Sequence, residues 1–378
     1  MKTMKFGIIG CGLMGREFAS ATLRWSHLKD DIIKPEIIGV CNRSPKAFEW
    51  FDRALPNLKY HFTDYKDLLA CEDIEAIYCA VPHVQHEQIY VDIINAGKHL
   101  MGEKPFGMDK KQNAAIMEAL ENHPEVFCRC ASEFPFFPGC QKVIEWVKEG
   151  KLGRIIEAKA GFNHASDLDF NKPINWKRMN AINGEYGCMG DLGLHTQHVP
   201  FALGWNPKDV YAVLSKIVKE RPDGKGGMAV CDTWDNATLL CTVNHAEGYE
   251  FPMTLETKRI EPGATDQWYL KVTGTKASVY FTTEDTNAFQ YLYTDGPIQS
   301  WNRLVVGYRS MIPTVTGPNF EFGFTDAILQ MWAAFMAELE GAKLPFSCAT
   351  PEYARMSHAL ITAALESNAQ KRAIEIQY

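Results

Sequence analysis

The sequence has no apolar run approaching the roughly 18 residues that a membrane-spanning helix needs, so no transmembrane segment is expected. It also lacks an excess of basic charge. Lys and Arg number 39 against 46 Asp and Glu, a net charge of −7. That balance argues against a nucleic-acid-binding protein and against docking on an anionic membrane surface. There is no CxxC pair, no HExxH motif, no low-complexity tract and no short-period repeat. The 11 cysteines are odd in number and scattered. Cys128 and Cys130 are too close for an ordinary bridge within one strand. They read as reduced, small apolar residues of a cytoplasmic protein. What is present is ordinary globular composition, 46% hydrophobic and 22% charged over 378 residues. At roughly 150 residues per domain, this length suggests two domains.

The basic Met1–Lys5 and apolar Phe6–Gly15 imitate a secretory leader. Four glycines and the following Arg16-Glu17 argue for a different reading. Lys5–Ile9 reads as a strand, Gly12 to Trp25 as a helix, and Ile37–Cys41 as a second strand. Pro45–Phe51 reads as helix, Ile74–Val81 as a buried strand, Val84–Ala96 as helix and His99–Met101 as a short strand. A helix over Asp109–Glu121 and a strand at Val126–Cys130 complete the series. Such alternation predicts an α/β, doubly wound parallel sheet of the Rossmann type.

The texture then changes. Helices are expected at Gly139–Glu149, Asp191–Leu203, Thr325–Leu339 and Pro351–Asn368. Strands are expected at Ile155–Phe162, Val210–Val218, Ala237–Val243, Phe251–Thr257, Gln267–Val272, Ala277–Phe281 and Phe289–Tyr293. This pattern predicts an α+β domain with a largely antiparallel open sheet. The boundary falls between Cys130 and Phe137, giving a dinucleotide-binding domain over 1–131 and a substrate-binding, oligomerising domain over 132–378. An open sheet face predicts a homo-oligomer, dimer or tetramer.

Gly10-Cys11-Gly12-Leu13-Met14-Gly15 follows the first strand and opens the first helix, the context a GxGxxG loop requires. Gly10 permits the tight turn, Gly12 lets a pyrophosphate approach the backbone, and Gly15 lets helix and strand pack closely. The helix N-terminus then offers free N–H groups to the phosphates. The second strand ends in Asn42-Arg43-Ser44, where an acidic residue would grip both ribose hydroxyls of NAD. Asn42 removes that charge, and Arg43 with Ser44 and Lys46 suits a 2′-phosphate. Both NAD and NADP stay open. The stretch Trp25–Pro35 reads as an insertion.

Gly102-Glu103-Lys104-Pro105 ends a strand where ligands of open α/β sheets bind. Lys104 is aimed at the cleft, where burial and an oxidised nicotinamide lower its pKa. Asp191 and His195 share one face of a helix opening at Asp191, with His198 a step further along it. The carboxylate then orients the imidazole and raises its basicity, so that His195 takes a hydroxyl proton. The pairs His195/His198 and His83/His86 lack third and fourth ligands, so no metal is expected.

Taken together, Gly10–Gly15, Ala80-Val81-Pro82 with His86, Ala96-Gly97-Lys98-His99, Glu103-Lys104-Pro105 and Asp191-Leu192-Gly193-Leu194-His195 resemble the Gfo/Idh/MocA oxidoreductase family. The resemblance spans most of the first 200 residues, and Glu352 with Ala359–Ser367 resembles the family's closing helix. It implies Lys104, Asp191 and His195 in the catalytic site. It implies Pro82, His86, Glu103 and Trp176 beside the cofactor, with Lys177 near nicotinamide or substrate, where Trp-Arg is common. His83 stands where Asn is common, and His198 where Asp is frequent. Asn163–Gly190 is rich in groups that suit a polyhydroxylated ligand; Asn163, His164, Asp167, Trp176, Arg178 and Tyr186 are its candidate contacts, with Lys177 and His198 as further substrate candidates.

The function so implied is NAD(P)-dependent hydride transfer from a secondary alcohol of a sugar, glycoside or cyclitol, with C3 of a glycoside favoured. The cofactor either exchanges each cycle or is retained. Two alternatives stand beside it. One is a glycosidase using NAD as an internal redox catalyst. The other is a non-enzymatic NAD(P)-sensing protein, against which Lys104, Asp191 and His195 together argue.

Overall fold

The last four residues of β1 (Thr3–Ile9) are all buried. A strand covered on both faces needs such a continuous apolar run. In the computed structural model, which describes residues 2–378, β1 lies inside a six-stranded sheet with β2 (Lys34–Cys41), β3 (Tyr60–Phe62), β4 (Ala76–Cys79), β5 (His99–Gly102) and β6 (Cys128–Cys130). The order is β3-β2-β1-β4-β5-β6, and every pairing is parallel. This is the doubly wound order whose crevice lies beyond the carboxyl ends of the strands. The connecting helices are α1 (Leu13–Leu23), α2 (Glu49–Ala54), α3 (Tyr65–Leu69), α4 (His86–Asn95) and α5 (Lys110–Asn122).

The rest of the chain builds α6 (Pro138–Lys148), β7 (Ile155–Asn163), α7 (Asn180–Asn183), α8 (Cys188–Ala202), β8 (Pro207–Ser215) and a small hairpin of β9 (Glu220–Pro222) and β10 (Met228–Val230). It continues with β11 (Asn236–Asn244), β12 (Glu250–Lys258), β13 (Gln267–Gly274), β14 (Ala277–Thr282), β15 (Ala288–Tyr293), β16 (Asn302–Val305), α9 (Phe324–Leu339), α10 (Pro351–Gln370) and β17 (Ile374–Glu375). Nine of these strands form one sheet, ordered β16-β15-β14-β13-β7-β12-β11-β8-β17. Its pairings are antiparallel except β7 with β12. Alternating burial along β8, β11, β12 and β13 turns one face to the core, as a half-covered sheet requires.

Helix α9 crosses back to the first sheet. Its Trp332 stacks on Phe18 of α1, with ring centroids 3.7 Å apart, and meets Phe6 of β1 edge-on at 6.0 Å. The Trp25–Pro35 stretch is tied down the same way, through a bridge between Leu28 and Thr314 and a bond from Lys29 N to Pro313 O. Each cysteine is free, and all but Cys71 are buried. Strands β3, β9, β10, β16 and β17 and helix α3 carry too few residues for a readable period. Helix α8 begins at Cys188, not Asp191, because Gly187 at φ +56° makes the turn into it.

Candidate active site

A cavity of about 1000 Å³ opens between the carboxyl ends of the parallel strands and the buried helix α8. Gly10, Gly12, Leu13, Met14, Asn42 and Arg43 line one end; Lys104, Glu133, Lys177, Asp191, His195 and Arg259 line the other. The glycine loop has the shape expected of a pyrophosphate cradle. Gly10 has φ +102°, and a Cβ there would meet the Ala80 carbonyl oxygen at 2.2 Å. A Cβ on Gly15 would meet the Gly10 carbonyl oxygen at 2.4 Å, so α1 lies against the loop. A Cβ on Gly12 would meet nothing within 4 Å. The first turn of α1 has no side-chain cap and no acidic residue, which leaves its N–H groups open to an anion. These features fit a dinucleotide. Asn42 Oδ1 accepts from Cys11 N at 3.4 Å, and its amide donates to Ser44 O at 3.1 Å.

Pro82 and Trp176 also line the cavity, as does Glu103, whose Oε1 accepts from Tyr78 at 2.7 Å. His86 is a correction. Its ring stacks on Tyr90, Nε2 bonds the Val81 carbonyl at 3.1 Å, and Nδ1 accepts from Gly107 N at 3.3 Å. With both nitrogens used it braces the loop. His83 takes the cavity position instead, edge-on to Trp176 at 4.9 Å.

Asp191 is the electrostatic centre. Its carboxylate receives Lys104 Nζ at 2.9 Å, Lys177 Nζ at 3.0 and 3.1 Å, and the Arg259 guanidinium. Burial opposes its ionisation, but Lys104, Lys177 and Arg259 outweigh it and hold the carboxyl well below the usual range. Burial pulls the Lys104 ammonium down, yet Asp191 and Glu103 more than compensate, so its pKa lies above the ordinary lysine value. The expected lowering falls instead on Lys177. Burial dominates there, Arg259 and Lys104 add to it against Asp191, and the value drops to about 8.

Asp191 makes no hydrogen bond to His195. The carboxylate nearest that imidazole is Glu133, with Oε2 3.9 Å from Nδ1. Burial first, then the Lys104 charge, push His195 well below its usual pKa, so it stays neutral rather than gaining basicity. Phe134 and Phe162 meet its ring edge-on at 5.2 and 5.4 Å. Glu133 is itself raised to about 8, chiefly by burial and then by Glu103.

Five expected ligand contacts lie outside the cavity wall. Asn163 is buried at the end of β7, its amide 3.4 Å from Gln267 Oε1. Arg178 pairs with the buried Asp167 at 3.1 Å. Tyr186 meets the Thr362 hydroxyl at 2.9 Å, and His198 Nε2 bonds the Ser347 carbonyl at 3.2 Å. Asp167, the fifth, also holds Arg259 Nε at 3.2 Å; all five are engaged within the core, although Asn163 Oδ1, Arg178 Nε and His198 Nδ1 find no hydrogen-bond partner among the described residues. His164 does line the cavity. Arg259 and Glu133 escape sequence reading. Neither sits in a motif, and only the fold brings them beside Asp191 and His195.

Comparison with known proteins agrees with this geometry. Residues 4–130 match the model of an oxidoreductase family with an NAD-binding Rossmann fold. Residues 140–280 match the GFO/IDH/MocA C-terminal domain. Levoglucosan dehydrogenase of Pseudarthrobacter phenanthrenivorans is 24% identical over 279 residues, 69% of this chain and 67% of that protein. The NADP(+)-dependent scyllo-inositol 2-dehydrogenase of Bacillus subtilis is 25% identical over 244 residues, 63% of this chain and 69% of that one. A structure of levoglucosan dehydrogenase in complex with NADH and L-sorbose superposes with a TM-score of 0.89 at 21% identity, covering 100% of both chains. That likeness establishes the shared fold.

Proposed function

The chain belongs to the Gfo/Idh/MocA oxidoreductase family, and from that premise we propose that it is an NAD(P)-dependent dehydrogenase of a sugar, glycoside or cyclitol. The observation that carries the reading is the Lys104–Asp191 pair, 2.9 Å apart, set in the same cavity as the glycine loop. Relatives named for levoglucosan and scyllo-inositol support the substrate class.

The nicotinamide supplies a hydride acceptor. Gly10, Gly12, Leu13, Met14, Gly15, Asn42 and Arg43 hold the nucleotide, with Pro82, Glu103 and Trp176 along its path. Lys104, kept as an ammonium by Asp191, polarises the substrate oxygen and stabilises negative charge developing on it. His195, kept neutral, takes a hydrogen bond from the reacting hydroxyl. Residues 1–131 serve the cofactor; residues 132–378 serve the substrate and oligomer assembly, as dimer or tetramer, in the cytoplasm. Arg43 with the neighbouring groove of Arg16, Ser44, Lys46 and Arg53 favours a 2′-phosphate, hence NADP.

The test is nicotinamide absorbance on a panel of levoglucosan, scyllo-inositol, D-xylose and simple glycosides with both nucleotides. Oxidation of at least one polyol is expected. No absorbance change with any member sinks the reading. His195→Ala should keep nucleotide affinity and lose about 100-fold or more in turnover.

A further inference from the structure

Three cations converge on one carboxylate at Asp191: Lys104, Lys177 and Arg259. Arg259 is shared with Asp167 at 3.2 Å, but Asp167 already faces Arg178 at 3.1 Å and Arg221 at 3.8 Å. The buried cluster therefore holds more positive than negative charge. Releasing one proton from it relieves repulsion, so one member is a stored proton acceptor. A guanidinium does not release a proton in proteins, which leaves the two lysines. They differ in surroundings. Lys104 has Glu103 behind it as a second carboxylate. Glu103 acts on Lys177 as well, but less strongly than on Lys104; the Lys177 ammonium lies 5.6 Å from the Trp176 ring. Its side chain is also the most open to the cavity, 30% exposed against 17% for Lys104 and 8% for Arg259.

We propose that Lys177 is a catalytic residue, the amine that takes the hydroxyl proton when the substrate alcohol is oxidised. The inference rests on the dehydrogenase reading above and assigns the proton within it. As the alcohol carbon gives up its hydrogen with both electrons, the O–H bond breaks. That bond pair closes the C=O double bond, and the proton joins the Lys177 lone pair to give an ammonium. Asp191 stays within 3.1 Å to receive the new charge. His195 is the weaker acceptor, because an imidazolium there would form in a buried aromatic pocket with Lys104 nearby.

The groups facing Lys177 are Asp191 and His195 from α8, Glu103 and Lys104 from the turn after β5, Arg259 after β12, and two further imidazoles, His83 after β4 and His164 after β7. Both imidazoles are held near 3, chiefly by burial. They stay neutral across the working range, which leaves two cavity groups near 8, Lys177 beside Asp191 and Glu133 beside His195; the lysine signal and the Lys177→Arg profile tell them apart.

The experiment combines a titration with a pH profile. Protein labelled at lysine Cε is titrated by NMR, and the Lys177 signal is identified by its absence in Lys177→Arg. A midpoint near 8 is expected. Oxidation kcat/KM should rise with pH through that value and then level. Lys177→Arg should keep nucleotide affinity, lose about 100-fold or more in kcat and lose the rising limb. Lys177→Ala should be partly rescued by small primary amines. A Lys177 midpoint near the ordinary 10.5 overturns the proposal. So does a Lys177→Arg enzyme with normal turnover and an unchanged limb. A limb lost in His195→Asn but kept in Lys177→Arg assigns the proton to His195. A wild type that oxidises no polyol while Lys177 titrates near 8 overturns the dehydrogenase reading itself, and the proton assignment with it.

Discussion

Asp191 is the residue whose loss the site tolerates least. It is 2% exposed and is the shared counter-charge of Lys104, Lys177 and Arg259. Asp191→Asn leaves these cations facing one another, and breaking a buried pair in this way costs about 3–5 kcal/mol. Turnover should be lost and thermal stability lowered together. The folded pKa of Asp191 lies below its unfolded value. Its contribution is therefore present above the ordinary carboxylate pKa and fades as pH falls through the folded one. Melts of wild type and variant should converge in acid; a constant gap down to the lowest accessible pH contradicts this. Glu133 has the opposite sign. Its folded value near 8 lies above the unfolded 4.5. Between them the fold retains a proton the unfolded chain has released, so stability falls as pH rises through that window. Glu133→Gln, which imitates the protonated acid, should gain on wild type from pH 5 to pH 9 in thermal melts. An unchanged difference would place the burial cost elsewhere.

At the scale of the element, the three glycines of the loop separate folding from binding. Gly12→Ala adds a methyl group that meets no protein atom within 4 Å. Stability should hold while nucleotide affinity, measured by fluorescence titration, falls tenfold or more. Gly10→Ala forces a side chain onto φ +102° and into the Ala80 carbonyl, so it should lower the melting temperature before binding is considered. Equal stability losses at both positions would remove the assignment of Gly12 to the phosphate. This loop was legible in the sequence because its chemistry is local: strand, glycines and helix lie in one stretch of chain. The parallel, doubly wound character of the first sheet was legible for the same reason. The surroundings of the reacting groups were not. Asp191 and His195 have helical spacing, which reads as a pair, but α8 is buried along nearly its whole length. Its polar side chains are claimed by whatever packs on each face. Asp191 turns to Arg259 and His198 to the Ser347 carbonyl. Arg178 and Tyr186 have the residue types of a sugar site, yet burial consumes them in Asp167 and Thr362. Burial and its charge balance are properties of the assembled fold, and no spacing encodes them. That is why the lowered lysine is Lys177 rather than Lys104.

At the scale of the molecule, the two sheets are treated differently. The parallel sheet is wrapped on both sides, with α9 returning from the C-terminal half to seal Phe6 and Phe18 under Trp332. The nine-stranded sheet is covered on one face only. Val210, Ala212 and Leu214 of β8 point to the core, while Tyr211 and Val213 between them point out. Leu240 of β11 sits directly opposite Tyr211 and is 52% exposed, as Val213 is 58% exposed. Apolar groups adjacent on an open sheet favour pairing with a second copy across a two-fold axis, since the same patch then serves both partners. Polar side chains such as Thr254, paired with Leu240 on β12, lie within the same face, so the surface suits a reversible interface better than a buried core. The expected state is a dimer or tetramer held through this face. A double substitution, Val213→Lys with Leu240→Lys, places like charges on neighbouring strands without touching the core or the cavity. Light scattering after size exclusion should then show a smaller species, with nucleotide affinity intact. An unchanged mass would move the interface off this sheet. A loss of nucleotide affinity alongside dissociation would mean that assembly shapes the cavity as well as covering the sheet.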